Sequence, residues 1–369
     1  MSKGYKILIS GGGTGGHIFP ALAIAEEIKK RFPDAEFLFI GAKGRMEMEK
    51  VPQEGYKIEG LNIAGLNRKN KLKNLSLSLK LISSLLKARQ IITKFNPDFA
   101  IGTGGFASGP ALFMARILNI PIYIQEQNSV PGKTNLFNGR KARAVFTAYP
   151  DMDHFFPSSQ TFYLGNPVRK SILSRQISPY EARKRLGLKK DELTILSVGG
   201  SQGSRAINNA WKAHLRDLEK NNIQLVWQVG ALDYKEISAF VNSENLSQKN
   251  LIIIEFIKDM ATAYSAADII VSRAGAIAIS ELCLVGKPVI LLPLPTAAKD
   301  HQTKNAQVLV EKNAAKMVRD EEIKEKFWEE VMSLCKNKTL REELANNLKR
   351  FAKPEATENI VTQILKTIQ

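Results

Sequence analysis

One arrangement occurs twice in this chain of 369 residues: a short apolar strand runs into a glycine cluster that opens an amphipathic helix. The first copy is strand Lys6 to Ser10, then Gly11-Gly12-Gly13-Thr14-Gly15-Gly16-His17, then a helix from about Pro20 to Arg31. The second is strand Leu193 to Val198, then Gly199-Gly200-Ser201-Gln202-Gly203-Ser204-Arg205, then a helix beginning near Ala206. Alternation of this kind is the signature of a parallel sheet covered on both faces. Further strands are read at Glu36 to Ile40, Phe99 to Gly102, Pro121 to Gln125 and Val145 to Thr147, the last of the first half. In the second half they fall at Leu225 to Val229, Leu251 to Glu255, Asp268 to Val271 and Val289 to Leu292, with a helix from Gly275 to Val285 between the last two. The expected class is therefore α/β, with two doubly wound, Rossmann-like units in tandem. Gly165-Asn166-Pro167 is a turn signal between them, so the domains are set at residues 1–165 and 166–354. After Pro354, Ile360, Val361, Ile364, Leu365 and Ile368 recur at helical spacing, and that stripe must be buried somewhere.

The glycine loops carry the chemistry. Gly11-x-Gly13-x-x-Gly16 matches the dinucleotide fingerprint literally, but that fingerprint also needs an acid at the end of the second strand. There the chain reads Gly41-Ala42-Lys43-Gly44-Arg45, which argues against a nicotinamide cofactor. No Gly-Lys-Ser/Thr follows any glycine run, which excludes a Walker loop. Together with Thr103-Gly104-Gly105, three loops lie at strand ends and open helices, where free amides and the helix dipole favour phosphate oxygens. His17 closes the first loop. A neutral imidazole there can take a proton from a sugar hydroxyl, or can simply hydrogen-bond to backbone at a helix start. Glu281, one turn into its helix, can accept both ribose hydroxyls of a nucleotide or can belong to a solvated face. Asp300-His301-Gln302 with Asn305 follows a proline-rich strand end, where α/β sheets place ligand contacts, though an ordinary surface loop reads the same way. Asp151-x-Asp153 beside His154 has the form of a metal-binding pair, but acidic pairs are common in turns, and no metal is expected.

The chain has 53 Lys+Arg against 36 Asp+Glu, a net charge of +17, so an anionic partner is expected. From Gly60 to Pro97 there is no acid. Arg68, Lys69, Lys71, Lys73, Lys80, Lys87, Arg89 and Lys94 alternate there with Leu72, Leu75, Leu79 and other leucines. Aliphatic rather than aromatic interleaving disfavours nucleic acid and favours an anionic membrane surface, although charge runs are often only solvated faces. A second acid-free run spans Gln127 to Pro150. No segment approaches the roughly 18 to 20 apolar residues of a membrane-spanning helix. The start lacks the apolar region of a secretory signal, and Cys283 and Cys335 read as buried free thiols of a reducing compartment.

With these residues in view the chain resembles the MurG family of peptidoglycan N-acetylglucosaminyltransferases over nearly its whole length. The resemblance rests on Gly11 to Pro20, Gly102 to Pro110, Glu126-Gln127-Asn128, Gly165 to Arg169, Gly199 to Gly203, Ser272 to Ala276 and His301-Gln302-x-x-Asn305-Ala306 in this order. It implies a GT-B fold, two Rossmann-like domains facing across a cleft, with the C-terminal helix, residues 355–369, crossing back onto the first. It implies inverting transfer of GlcNAc from UDP-GlcNAc to the C4 hydroxyl of MurNAc in undecaprenyl-diphospho-MurNAc-pentapeptide (lipid I), giving lipid II. No cofactor or metal is implied, and the enzyme would sit peripherally on the cytoplasmic face of the plasma membrane. On the donor side the resemblance assigns Ile257 to uracil, Glu281 to ribose and Ser201 and Arg169 to the diphosphate. Asn128, Ala276, Ile277 and Gln302 go to the bound sugar nucleotide, bordered by Thr14, Gly15 and Gly16 of the other domain. The acceptor diphosphate would lie against Gly13, Gly104 and Gly105. His17 is the candidate base, with Glu126 its rival or orienter. Ala278 and Phe106 depart from the family, which often has threonine and tyrosine there. The related alternative is a GT-B transferase that glycosylates diacylglycerol.

Overall fold

In the computed structural model, residues 4–63, 77–168, 177–200, 202–244 and 250–368 are described. The chain divides into two compact units, Met1–Val168 with Glu355–Gln369, and Arg169–Pro354. Asn166 belongs to the first unit and not, as the turn signal suggests, to the second. It is buried, accepts the Gln125 side-chain amide at 2.8 Å and donates to the Gln127 carbonyl at 3.2 Å.

The first unit is a seven-stranded parallel sheet in the order β3-β2-β1-β4-β5-β6-β7. The strands are β1 Lys6–Gly11, β2 Glu36–Ala42, β3 Lys57–Leu61, β4 Phe99–Gly104, β5 Ile122–Glu126, β6 Ala144–Thr147 and β7 Thr161–Tyr163. Sequence periodicity misses β3 and β7. Lys57 and Glu59 of β3 are exposed and only its end is apolar and buried, and β7 is three residues long on the sheet edge. Five helices cover the faces: α1 Gly15–Arg31, α2 Glu47–Gln53, α3 Leu77–Phe95, α4 Ser108–Ile117 and α5 Lys133–Gly139. The central strands are apolar on both faces, as a doubly covered parallel sheet requires. α1 starts at Gly15, one turn before the expected start near Pro20, and encloses Pro20 within its first two turns.

The C-terminal helix Ala356–Ile368 buries Ile360, Val361 and Ile364 in the core that α1 shares with the sheet. Polar ties complete the seam. Arg31 donates to the Thr362 hydroxyl at 2.8 Å and the Glu358 carbonyl at 2.9 Å, and the Tyr123 hydroxyl meets Thr367 at 2.9 Å.

The second unit is a six-stranded parallel sheet in the order β10-β9-β8-β11-β12-β13. Its strands are β8 Thr194–Val198, β9 Gln224–Gln228, β10 Leu251–Ile254, β11 Ile269–Ser272, β12 Val289–Leu291 and β13 Lys316–Met317. Only the two-residue β13 escapes the sequence reading. In each sheet the strand order reverses at one place, between β1 and β4 and between β8 and β11, and crevices for ligands in doubly wound sheets form at such reversals. All glycine loops named above sit at these two places.

Candidate active site

In the first unit the loops after β1 and β4 lie side by side. A register shift at Ser10/Gly11 pairs Gly11 with Gly104, and the Gly12 amide donates to the Gly104 carbonyl at 3.3 Å. Gly105 has φ +83°, and a Cβ there would collide with the Gly12 carbonyl oxygen, so this approach is open only to glycine. Beneath the first loop lies Glu47 of α2, fully buried, which sequence reasoning passes over. Its carboxylate accepts the Ala42 amide and the Gly13 amide, both at 3.0 Å, and binds the loop to the end of β2. The Gly13 amide is therefore not open to a phosphate lying against this loop. Gly15 and Gly16 are the first two residues of α1, where amides lack intrahelical acceptors, and the Thr14 side chain makes no capping bond.

His17 stands on the first turn of α1. Its Nδ1 lies 2.9 Å from the Thr103 carbonyl oxygen and 3.1 Å from Gln127 Oε1, while the Thr103 hydroxyl donates to the His17 carbonyl at 2.7 Å. Both groups facing Nδ1 are oxygens, so Nδ1 is the nitrogen that carries a proton, and in the neutral ring the lone pair then lies on Nε2. The Gln127 amide is itself oriented by donation to the Thr103 carbonyl at 2.6 Å.

Glu126, at the end of β5, has the opposite character. Oε1 accepts the Asn128 backbone and side-chain amides at 3.0 and 3.2 Å, and Oε2 accepts the Gly132 amide and Asn135 Nδ2 at 3.1 and 2.9 Å. A carboxylate accepts about four hydrogen bonds, and all four places of this 1% exposed group are taken. These contacts leave Glu126 no free lone pair, and none of them reaches His17; they fold the Asn128–Asn135 segment.

In the second unit the loop after β8 is held by Gln228, 3% exposed and unforeseen in the sequence. Its amide donates to the Gly200 carbonyl at 2.9 Å and its oxygen accepts the Ile257 amide at 2.9 Å. The Ile257 amide is thus taken, and of its backbone polar groups the carbonyl is the one open to a ligand. Ala276 and Ile277 open the helix Ala276–Val285, which also carries Glu281. The Tyr264 hydroxyl donates to Glu281 Oε2 at 3.4 Å, and burial, with the Glu281 charge adding to it, pushes the tyrosine pKa well above its usual range. Gln302 accepts the Leu294 amide at 2.9 Å, which leaves its side-chain NH₂ as donor. Lys299 and Asp300, just before it, both have φ +55°. Arg273 is structural: it donates to the Leu292 and Pro293 carbonyls at 3.0 Å and to Asp320 at 2.7 Å, tying the ends of β11 and β12 together.

The model of the glycosyltransferase family 28 N-terminal domain matches residues 7–147, and that of its C-terminal domain matches residues 194–360. A curated relative from Cytophaga hutchinsonii is 48% identical over 366 residues, covering 99% of this chain and 98% of the relative. One from Christiangramia forsetii is 47% identical over 368 residues, covering 100% and 99%. Both are named UDP-N-acetylglucosamine--N-acetylmuramyl-(pentapeptide) pyrophosphoryl-undecaprenol N-acetylglucosamine transferase. The chain belongs to glycosyltransferase family 28, in its MurG branch. The crystal structure of Acinetobacter baumannii MurG superimposes with a TM-score of 0.81 at 31% identity, covering 98% of this chain and 99% of that one. The UDP-GlcNAc 2-epimerase of Neisseria meningitidis, bound to UDP-GlcNAc, matches at a TM-score of 0.66 and 19% identity over 98% and 100%, a likeness of fold alone.

The family 28 fold is GT-B, two Rossmann-like sheets of the kind described above. The first unit brings Thr14, Gly15, Gly16, His17, Gly104, Gly105, Glu126 and Asn128 to one sheet reversal. The second brings Ile257, Ala276, Ile277, Glu281 and Gln302 to the strand ends of the other. Arg169 and Ser201 lie outside the described residues, as do Arg68, Lys69, Lys71, Leu72, Lys73 and Leu75. Asp151 and Asp153 sit on the loop between β6 and β7.

Proposed function

We propose that this family 28 chain transfers GlcNAc from UDP-GlcNAc, with inversion, to the C4 hydroxyl of MurNAc in undecaprenyl-diphospho-MurNAc-pentapeptide, the step that makes lipid II for peptidoglycan. The observation that carries this reading is 48% identity, end to end, to a transferase named for that donor and acceptor. Diacylglycerol is not favoured as acceptor, because the relatives at 46–48% identity are named for a pyrophosphoryl-undecaprenol.

His17 is the base. Its Nδ1–H is fixed by the Thr103 carbonyl and Gln127 Oε1, so Nε2 takes the proton of the C4 hydroxyl as that oxygen attacks the anomeric carbon. The bond from that carbon to the UDP oxygen breaks on the opposite side, and UDP departs with the electron pair. Amides of the loop after β8 and the Arg169 guanidinium meet its charge, the role a cation plays elsewhere. Glu281 receives the ribose hydroxyls, the Ile257 carbonyl the uracil, and the Gln302 side-chain NH₂ the sugar, with Asn128, Ala276 and Ile277 beside it. The acceptor diphosphate rests against Gly104, Gly105 and the amides that open α1.

No helix among the described residues is long and apolar enough to cross a membrane. α3 presents Leu79, Ile82 and Leu86 to solvent at 72%, 56% and 65% exposure, one stripe beside Lys80, Lys87 and Arg89. That stripe, together with Arg68, Lys69, Lys71, Leu72, Lys73 and Leu75 of the same acid-free run in the sequence, docks the enzyme on the anionic cytoplasmic face of the membrane where its acceptor resides.

Transfer of radiolabelled GlcNAc to a short-chain lipid I analogue tests the reading. Native protein is expected to make product with EDTA present, and His17→Ala to lose about 100-fold or more. Binding of UDP-GlcNAc without transfer would move the acceptor to another lipid, and a fully active His17→Ala would remove the base assignment.

A further inference from the structure

The first glycine loop poses an electrostatic problem. The proposed function places a diphosphate against it, yet a buried carboxylate lies directly beneath: Glu47 occupies the Gly13 amide, and a Cβ on Gly12 would run into that same carboxylate. The Gly12 amide is spent on the Gly104 carbonyl. Two of the loop's own donors are thus withdrawn, and an acidic side chain stands behind them. A diphosphate bound in front of such a loop needs a cation.

One stands at its mouth. The Phe106 ring lies over Gly13, with Cε1 3.1 Å from where a Cβ of Gly13 would be, and the guanidinium of Arg45 sits over that ring, 5.7 Å from its centroid. Arg45 is exposed, and no ion pair to it is found among the described residues. Stacking of guanidinium on an aromatic face fixes the plane of the group while its five N–H donors stay open at the edge, the geometry that grips phosphate oxygens two at a time.

From this we infer that Arg45, held on the Phe106 ring at the mouth of the Gly13 and Gly105 loops, is the residue that binds the diphosphate of the acceptor. The inference rests on the acceptor reading above and adds a side chain that neither the sequence motifs nor the glycine loops supply. It also gives Phe106 a purpose: where the family often has a tyrosine, the unsubstituted ring serves as a platform for the cation.

The test compares two water-soluble, short-chain acceptors, one with the diphosphate and one with a neutral linker in its place, without vesicles, on native protein, Arg45→Ala and Arg45→Lys. For the native enzyme the diphosphate acceptor should have the lower KM. Arg45→Ala should raise that KM about 10-fold or more, leave the KM for UDP-GlcNAc within about 2-fold, and leave the neutral acceptor almost unaffected. Arg45→Lys should fall between, since it keeps the charge and loses the fork. An unchanged thermal melt and donor KM show that the variant is folded. If native protein does not distinguish the two acceptors, the diphosphate site itself is wrong and the inference falls with it. If native protein distinguishes them and Arg45→Ala distinguishes them equally well, the inference alone is overturned. An effect that appears only when anionic vesicles are added would assign Arg45 to lipid headgroups and overturn it too.

Discussion

At the scale of single residues the site depends on which oxygen faces which nitrogen. Gln127 holds His17 by one contact at 3.1 Å while its own amide is anchored on the Thr103 carbonyl, which makes it a positioning residue for the proposed base. Gln127→Ala should lower kcat by about 10- to 100-fold through loss of ring orientation, with both KM values little changed. A variant that raises KM at constant kcat would make Gln127 a binding residue instead. Cys283 gives a pH prediction. Burial pushes its thiol from the usual 9 up to about 12. As pH rises through 9 the unfolded chain releases a proton that the folded chain retains, so folding stability falls by about 1.4 kcal/mol per pH unit toward 12. Urea unfolding at about pH 8 and about pH 10.5 should therefore show Cys283→Ala losing about 2 kcal/mol less than native across that span. Parallel losses would refute it. Part of this scale was legible: Glu126 stands just before the Asn128, Gly132 and Asn135 groups that it accepts, whereas His17 and Glu281 stood out by glycine cradle and helix position while their partners Thr103, Gln127 and Tyr264 lie elsewhere in the sequence. Glu47 and Gln228 were not legible, because each acts through a loop distant in sequence. Glu47 stands among the acids of a short helix, which in one dimension look like a solvated face.

At the scale of elements, the central strands were legible because each is built on a short apolar run, and β1, β4 and β8 also run into a glycine cluster. β3, β7 and β13 were not, because edge strands need neither two apolar faces nor length. The helix after Pro354 showed its stripe but not its destination. That destination is the α1 face of the first unit, so a residue near the end of the chain should control the stability of its beginning. Ile360 is fully buried there, and Ile360→Ala should cost about 2 to 4 kcal/mol, measured by denaturant unfolding of the first unit. α3 makes the contrary case. Leu79 and Leu86 are more than half exposed, so changing both to Glu should alter stability by no more than about 0.5 kcal/mol each. Sedimentation with anionic vesicles should nevertheless fall sharply, by about 10-fold or more, as apolar contact is lost and two negative charges are added. Unchanged vesicle binding would exclude this helix from the docking surface.

At the scale of the whole molecule, each unit has its own cores on the two faces of its own sheet. The clusters around Ile9 and Leu8 are built from residues of the first unit, and those around Trp227 and Ile270 from the second. Domains with separate cores can unfold in separate steps, and a ligand stabilises the domain that holds it. Of the groups proposed above for the donor, Ile257, Ala276, Ile277, Glu281 and Gln302 lie in Arg169–Pro354 and only Asn128 and the Thr14–Gly16 border in the first unit, so UDP-GlcNAc should stabilise chiefly the second. At about 100 times its Kd the gain is about 2.7 kcal/mol, which for a unit of this size moves a melting transition by about 5 to 10 °C. Calorimetry should then show two transitions, one raised by UDP-GlcNAc and the other little moved. Ile360→Ala labels them: it should lower the transition that the donor leaves in place, since Ile360 is buried in the core of the first unit. If donor and Ile360→Ala shift the same single transition, the two units unfold as one and the assignment of donor binding to one of them needs a different test. If the donor raises the transition that Ile360→Ala lowers, while the other stays fixed, the donor is held by the first unit and the division of labour proposed here is reversed.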